Sequence, residues 1–242
     1  MRTTRLFVDL PLQTGRKLSL PENAANHVAR VLRMRVGDAV QLFNGDGYAY
    51  DATISHVDKR DVGVDIHQMS EHNRESPLSI ALIQGVSRGD RMEITIQKAV
   101  ELGVGDIYPV ITERCGVQLD EQRWQKKQEH WQAIVHSACE QCGRNRVPTV
   151  HPVRKLDLVL ADVSTAHRFT LQPDAEQGFG ELKLTGDVTL LIGPEGGLGD
   201  LDLYQANAAQ FVGVRMGPRI LRTETAALTA LACLQALHGD LR

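Results

Sequence analysis

Apolar positions along the chain follow two rhythms. From about residue 78 onward, short apolar runs alternate with helical stripes. Val188–Ile192 reads as a strand buried on both faces, and Phe211–Met216 repeats the design. Further strand-like stretches stand at Leu78–Val86 and Asp106–Ile111, and near Val150 and Phe169. Between them, Asp90–Leu102 carries Met92, Ile96, Ala99 and Gly103 on one stripe. Asp120–Gly143 carries Trp124, Trp131, Val135, Ala138 and Cys142 on another. Strands alternating with helices predict an α/β fold with a parallel sheet. The first third has the shorter period. Val40–Phe43 and Tyr48–Ile54 flank Asn44-Gly45-Asp46-Gly47, a hairpin signal, and a turn at Asp58–Asp61 leads to Val62, Val64 and Ile66, apolar at every second residue. Glu22–Met34 is a helix candidate with Val28, Val31 and Leu32 as its apolar positions. The polar, proline-ended stretch Glu71–Pro77 sets the boundary between domains 1–74 and 75–242. Asp174–Asp187 reads as a flexible connection.

The last quarter holds the candidate chemistry. Two glycine turns follow strands there, in TLLIGPEGGLGD and in FVGVRMGPRILRTETAALTALACLQAL, and a long helix begins near Glu224. If those strands are neighbours, their carboxyl-end loops form the crevice where open α/β sheets bind ligands. Asp200 is placed to cap the helix after the first turn, and Thr223 the helix after the second. Arg219 and Arg222 have unfavourable charge beside a helix N-terminus, which suggests that an anion is received there. No G-x-x-x-x-G-K-[ST] or early G-x-G-x-x-G occurs, which excludes a P-loop nucleotidase and an ordinary dinucleotide fold.

Charge and cysteine usage narrow the setting. A net charge of −3 over 242 residues gives no global positive field. Any nucleic-acid contact would therefore come from local clusters, which can equally be solvated helix faces: Arg30, Arg33 and Arg35 around the end of the early helix, Arg88 and Arg91, and Arg144 and Arg146 just past Gly143. Four cysteines, no secretory leader and no apolar stretch near the roughly 20 residues of a membrane span indicate a cytoplasmic protein. Cys139-x-x-Cys142 lacks a four-ligand set, so packing is the better account of Cys139 and no metal is expected. Thr225–Leu237 is apolar nearly all round, so it needs cover on several sides, from the Asp120–Gly143 helix or from a second copy.

GPEGG followed by GPRILRTETA resembles the cofactor-binding knot of the SPOUT methyltransferases, and the arginine-rich second loop resembles the RsmE group within them. RGDRMEITIQKAVELGV, ERCGV and EQCGRNRVP match the same pattern in order, so the resemblance spans nearly the whole chain. The opening RLFV and NHVARVLRM are similar too, with Thr3-Thr4 departing from the usual apolar–proline pair. The resemblance implies a small PUA-like RNA-binding β-barrel followed by a SPOUT-type parallel sheet with a trefoil knot, a rare exception to unknotted topology. It implies S-adenosylmethionine as cofactor, held around Leu171, Gly193, Glu195, Gly196, Met216, Gly217, Leu221, Arg222, Thr223, Thr225 and Ala226. It also implies methylation of N3 of a uridine in 16S ribosomal RNA, within a 30S particle, by a homodimer whose active sites are shared. Leu231 and Leu234 are the positions read as lying near that two-fold.

A uracil N3 must lose its proton before it attacks a methyl group, and its anion spreads charge over two carbonyl oxygens. A guanidinium fork stabilises such an anion; Arg222 is the candidate and Arg144 the substitute. Glu224 and Glu140 are the candidate bases, although a carboxylate at a helix N-terminus is a weakened base. Two other readings stand beside this one. Ribose 2′-O methylators of the superfamily carry serine-asparagine in the last loop, where this chain has Arg222-Thr223-Glu224-Thr225. A non-catalytic RNA-binding assembly protein is the third reading, and binding of S-adenosylmethionine separates it.

Overall fold

The computed structural model describes residues 3–58 and 61–241. Backbone packing divides the chain into two compact units: Met1–Glu75 with His136–Val147, and Ser76–Val135 with Pro148–Arg242. A single boundary at 74/75 had assigned His136–Val147 to the second domain. The segment packs instead with the first unit.

The first unit is built on a five-stranded sheet of order β1-β3-β4-β5-β2. Its strands are β1 (Thr4–Phe7), β2 (Lys17–Ser19), β3 (Ala39–Phe43), β4 (Ala49–Val57) and β5 (Val62–Ser70). β3 and β4 pair as the expected hairpin, with Leu42 opposite Tyr50. The turn closes itself: Asn44 Oδ1 accepts the Asp46 N–H at 3.2 Å and Asp46 Oδ1 accepts the Tyr48 N–H at 2.8 Å. Val62, Val64 and Ile66 all face the core, beside Leu6, Val28, Leu42 and Ile54. At the turn read between Asp58 and Asp61, Lys59 and Arg60 lie outside the described residues.

The early helix departs from expectation. α1 (Glu22–Asn26) continues as a π-helix over His27–Leu32, ended by Arg33 at φ 53°. The wider turn shifts the side-chain period. Val28 stays buried, but Val31 is 67% exposed and Leu32 also faces outward.

The second unit carries a seven-stranded parallel sheet, as its apolar strand runs predicted. In chain order the elements from there on are β6 (Ile80–Gly85), α2 (Asp90–Glu101), β7 (Asp106–Ile111), α3 (Glu121–Cys142, whose end from His136 belongs to the first unit), β8 (Thr149–Val150), β9 (Arg154–Lys155), α4 (Leu156–Leu160), β10 (His167–Leu171), β11 (Val188–Ile192), α5 (Asp200–Ala208), β12 (Val212–Val214) and α6 (Thr223–His238). The order is β12-β10-β11-β6-β7-β8, with β9 also on β7. Ile83, Val110 and Leu191 meet α4 and α5 through Leu156, Val159, Leu160 and Ala206. α6 packs on β11, and α2 lies along α6. The neighbour of α6 is thus α2, where the tryptophan seam of α3 had been the candidate. Leu231 and Leu234 are fully buried. They belong to the unit's own core and are not available to a dimer interface.

Residues 174–187 are anchored, against the expected flexible connection. Arg215 N–H donates to the Gln177 carbonyl at 2.8 Å, and Phe179 and Leu182 are buried. Two apolar side chains in a polar stretch supply the anchor. Among the described residues no helix is long and apolar enough to cross a membrane.

Candidate active site

The carboxyl ends of the second unit's strands surround a cavity of about 460 Å³. Leu171, Gly193, Glu195, Gly196, Met216, Gly217, Leu221, Thr223 and Ala226 all line it, whereas Arg222 and Thr225 do not. The two loops do not follow neighbouring strands, because β10 lies between β11 and β12. The end of β10 therefore forms part of the wall, through Leu171, Gln172 and Pro173. Gln172 and Pro173 were not singled out in the sequence, although a strand followed by Gln-Pro is itself a strand-end signal. Arg114 and Leu203 also line the cavity. Arg114 belongs to the ERCGV run that carries the family resemblance, whereas the neighbourhood of Leu203 has no comparable mark.

Close backbone approach shapes the first loop. A Cβ on Gly193 would stand 2.7 Å from the carbonyl carbon of Gly197 and 2.8 Å from the Leu198 nitrogen, so only glycine fits. A buried clasp then ties three elements together. The Thr223 hydroxyl donates to the Gly193 carbonyl at 2.6 Å and accepts from Gln84 Nε2 at 3.0 Å. Gln84 is fully buried at the end of β6. Thr223 is therefore turned inward and does not cap α6; the N-cap position is Arg222, with no side-chain bond. Nor does Asp200 cap α5. Asp202, two residues on, accepts the Gly199 N–H at 2.8 Å and the Glu113 N–H at 3.1 Å. This buried carboxylate joins the helix start to the strand-end loop after β7, a long-range tie that local spacing does not reveal.

The unit also carries a charged cluster. Glu195 Oε1 accepts the Arg88 N–H at 2.8 Å and Arg91 Nη1 at 2.9 Å. Burial alone pushes the Glu195 carboxyl up; the bonds from backbone N–H groups and Arg91 outweigh it and hold the group below its usual value. Arg91 Nε stands 3.9 Å from Glu224 Oε2. That oxygen is buried and has no hydrogen-bond partner among the described residues. Arg219 and Arg222 are exposed and make no side-chain hydrogen bond or ion pair among the described residues. Both retain an uncompensated charge near the positive end of α6.

Other predicted residues lie in the first unit and are engaged there. Arg144 is buried, with Nε and Nη2 at 3.0 and 2.5 Å from Glu75 Oε2. Glu140 Oε1 accepts the Phe7 N–H at 3.0 Å. The loop past α3 reads as a polar surface in sequence, but the first unit buries Arg144 and Asn145, and Arg5 donates to Asn145 Oδ1 at 2.7 Å. Arg146 remains exposed, as do Arg30, Arg33 and Arg35. Cys139 is buried, and desolvation pushes its thiol up to about 12, which leaves it an unreactive packing group.

The RNA methyltransferase domain family matches residues 74–235, and the RNA methyltransferase PUA domain family matches residues 20–66. Ribosomal RNA small subunit methyltransferase E of Buchnera aphidicola subsp. Schizaphis graminum is 35% identical, over 99% of this chain and 98% of that protein. A crystal structure of ribosomal RNA small subunit methyltransferase E from Neisseria gonorrhoeae, bound to S-adenosyl methionine, is 39% identical with a TM-score of 0.93, covering 100% of both chains. A Legionella pneumophila protein whose structure holds the bound cofactor SAM is 44% identical with a TM-score of 0.96, again over 100% of both. With a PUA domain, a parallel α/β sheet and full-length likeness of this order, the chain belongs to the ribosomal RNA small subunit methyltransferase E family.

Proposed function

We propose that this protein transfers the methyl group of S-adenosylmethionine to N3 of one uridine in 16S ribosomal RNA, in the cytoplasm and on the 30S particle. The observation that carries this reading is the single cavity into which both glycine loops project. Its volume falls within the ~300–1,000 Å³ of small-molecule and cofactor sites. The residues fit the cofactor: Leu171, Ile192, Met216 and Leu221 offer apolar walls to an adenosine, and the loops add backbone polar groups. The backbone cradle at Gly193, which a Cβ would fill, keeps the first loop close.

When bound, S-adenosylmethionine supplies a sulfonium methyl as electrophile. Glu224 is the base in this reading, since one of its carboxylate oxygens is buried without a hydrogen bond, at 3.9 Å from Arg91 Nε, whereas Glu140 holds the Phe7 N–H. Arg222 faces the charge that develops on the uracil carbonyl oxygens; Arg144, held by Glu75, is not its substitute. N3 lies on the Watson–Crick edge, so the uridine is unpaired or flipped out. Incubation with tritium-labelled cofactor and 30S particles tests the reading. Label in 16S RNA is expected, and unlabelled RNA overturns it.

Residues 1–74 act in this reading as a PUA-like barrel that docks RNA, and 75–242 as a SPOUT domain with a trefoil knot. The exposed Arg30, Arg33 and Arg35 supply the docking charge. Neutralising all three is expected to weaken RNA binding and flatten its log–log salt dependence by about two. Cofactor affinity should stay unchanged. An unaltered salt slope in a binding titration would make the patch a solvated face.

The enzyme works as a homodimer in this reading. Ile220, in the second loop and lining the cavity, is 91% exposed, and Leu237 on α6 is 47% exposed. A second copy covers these apolar side chains and completes the site. Ile220→Glu is expected to shift sedimentation from dimer to monomer and to abolish methyl transfer. Full activity in a monomeric Ile220→Glu would contradict the shared site.

A further inference from the structure

The first unit holds a second cavity, of about 120 Å³, between the hairpin turn after β3, the exit of β5 and the loop after α3. The groups around it are unusual in how few are engaged. Tyr48, Glu71, His72, Arg74 and Arg146 line it, and none makes a side-chain hydrogen bond or ion pair among the described residues. Glu75 uses Oε2 for Arg144, but its Oε1 is buried and has no hydrogen-bond partner among them. A buried, unpartnered carboxylate oxygen is costly unless a donor arrives.

Charge decides what kind of donor. Around the cavity Arg74, Arg146 and the Glu75-bound Arg144 balance Asp46, Glu71 and Glu75. A site with no net charge suits a neutral ligand that carries donors and acceptors on one edge. It does not suit a phosphate, which requires net positive charge. The walls suit a flat ring. The Tyr48 ring lies on one element, and the Arg146 guanidinium lies across Gly47, where a methyl would meet Nη2, Cζ and Nε at 3.4, 3.5 and 3.5 Å. Asn145 braces the floor, donating to the His72 carbonyl at 3.2 Å. Unpaired RNA bases are held by such means, stacked on aromatic rings or guanidinium planes and bonded along an edge.

We infer that this cavity receives one unpaired nucleobase of the RNA substrate, distinct from the methylated uridine, with a ring N–H or amino group donated to Glu75 Oε1. The inference rests on the proposed action on ribosomal RNA and names a second point at which that RNA is read. It makes the first unit a reader of sequence at one position, beyond the phosphate grip of Arg30, Arg33 and Arg35.

The test is an NMR titration of the full-length, cofactor-saturated protein with the 5′-monophosphates of uridine, cytidine, adenosine and guanosine, and with ribose 5-phosphate as the base-free control. At least one nucleotide is expected to give saturable shifts at the Gly47, Tyr48, His72 and Asn145 amides, and ribose 5-phosphate none. Arg146→Ala and His72→Ala, both at exposed side chains, should each weaken that binding about tenfold. Equal shifts with ribose 5-phosphate would show a phosphate site and overturn the inference. So would the absence of shifts with every nucleotide, or binding untouched in both variants. Failure here with methyl transfer to 16S RNA intact would remove this pocket alone; loss of methyl transfer by the wild type would remove the function while leaving the titration result standing.

Discussion

Gly217→Val is expected to lower S-adenosylmethionine affinity about 10- to 100-fold while leaving a folded protein. Gly217 has φ +69°, and a Cβ there would meet nothing within 4 Å. The damage therefore comes from the backbone alone. A β-branched residue at positive φ costs about 1–3 kcal/mol, and the loop relieves that strain by changing conformation. Met216 and Leu221, on either side, line the cavity, so a relaxed loop removes both from the wall. The loop is exposed, so the thermal transition should remain cooperative. Isothermal calorimetry checks this. Wild-type affinity in the variant would show that the second loop does not shape the cofactor cavity.

Arg222→Ala is expected to lower kcat about 10²- to 10³-fold, the usual loss when one donor to a developing anion is removed. Arg222 does not line the cavity, so the dissociation constant for the cofactor should hold. Arg222 is the N-cap residue of α6, whose field is unfavourable to a positive charge, and it makes no ion pair among the described residues. An anionic uracil relieves that repulsion in the transition state, which is the moment when catalysis gains from it. Arg222→Lys should recover part of the rate, since it returns the charge without the planar fork. Single-turnover rates in Arg222→Ala equal to wild type would remove the residue from the chemistry.

The two glycine loops were legible in sequence because backbone geometry leaves residues no alternative. Gly193 tolerates no Cβ, and Gly217 sits where side chains are strained. The strand runs were legible because Val188–Ile192 is buried at every position. Strand order was not legible, since no local pattern states that β10 would enter between β11 and β12. Nor were the long-range polar ties. Thr223 sits where an N-cap threonine belongs, and only the Gly193 carbonyl and Gln84 show that it turns inward. Arg144 follows a helix stop as a surface residue would, yet Glu75, 69 positions earlier, binds it in a buried pair. Val31 and Leu32 fit an α-helical stripe that the π-helix then re-aims. In each case a tertiary partner or a changed period overrode a sound local reading.

Nucleoside mass spectrometry of the product identifies the atom that is methylated. 16S RNA modified by the purified protein with S-adenosylmethionine would be digested to nucleosides and compared with synthetic 3-methyluridine and 2′-O-methyluridine. A single new species is expected, one that co-elutes with 3-methyluridine and carries its methyl group on the base fragment. A methyl group on the ribose fragment, or no methylated uridine at all, would contradict it.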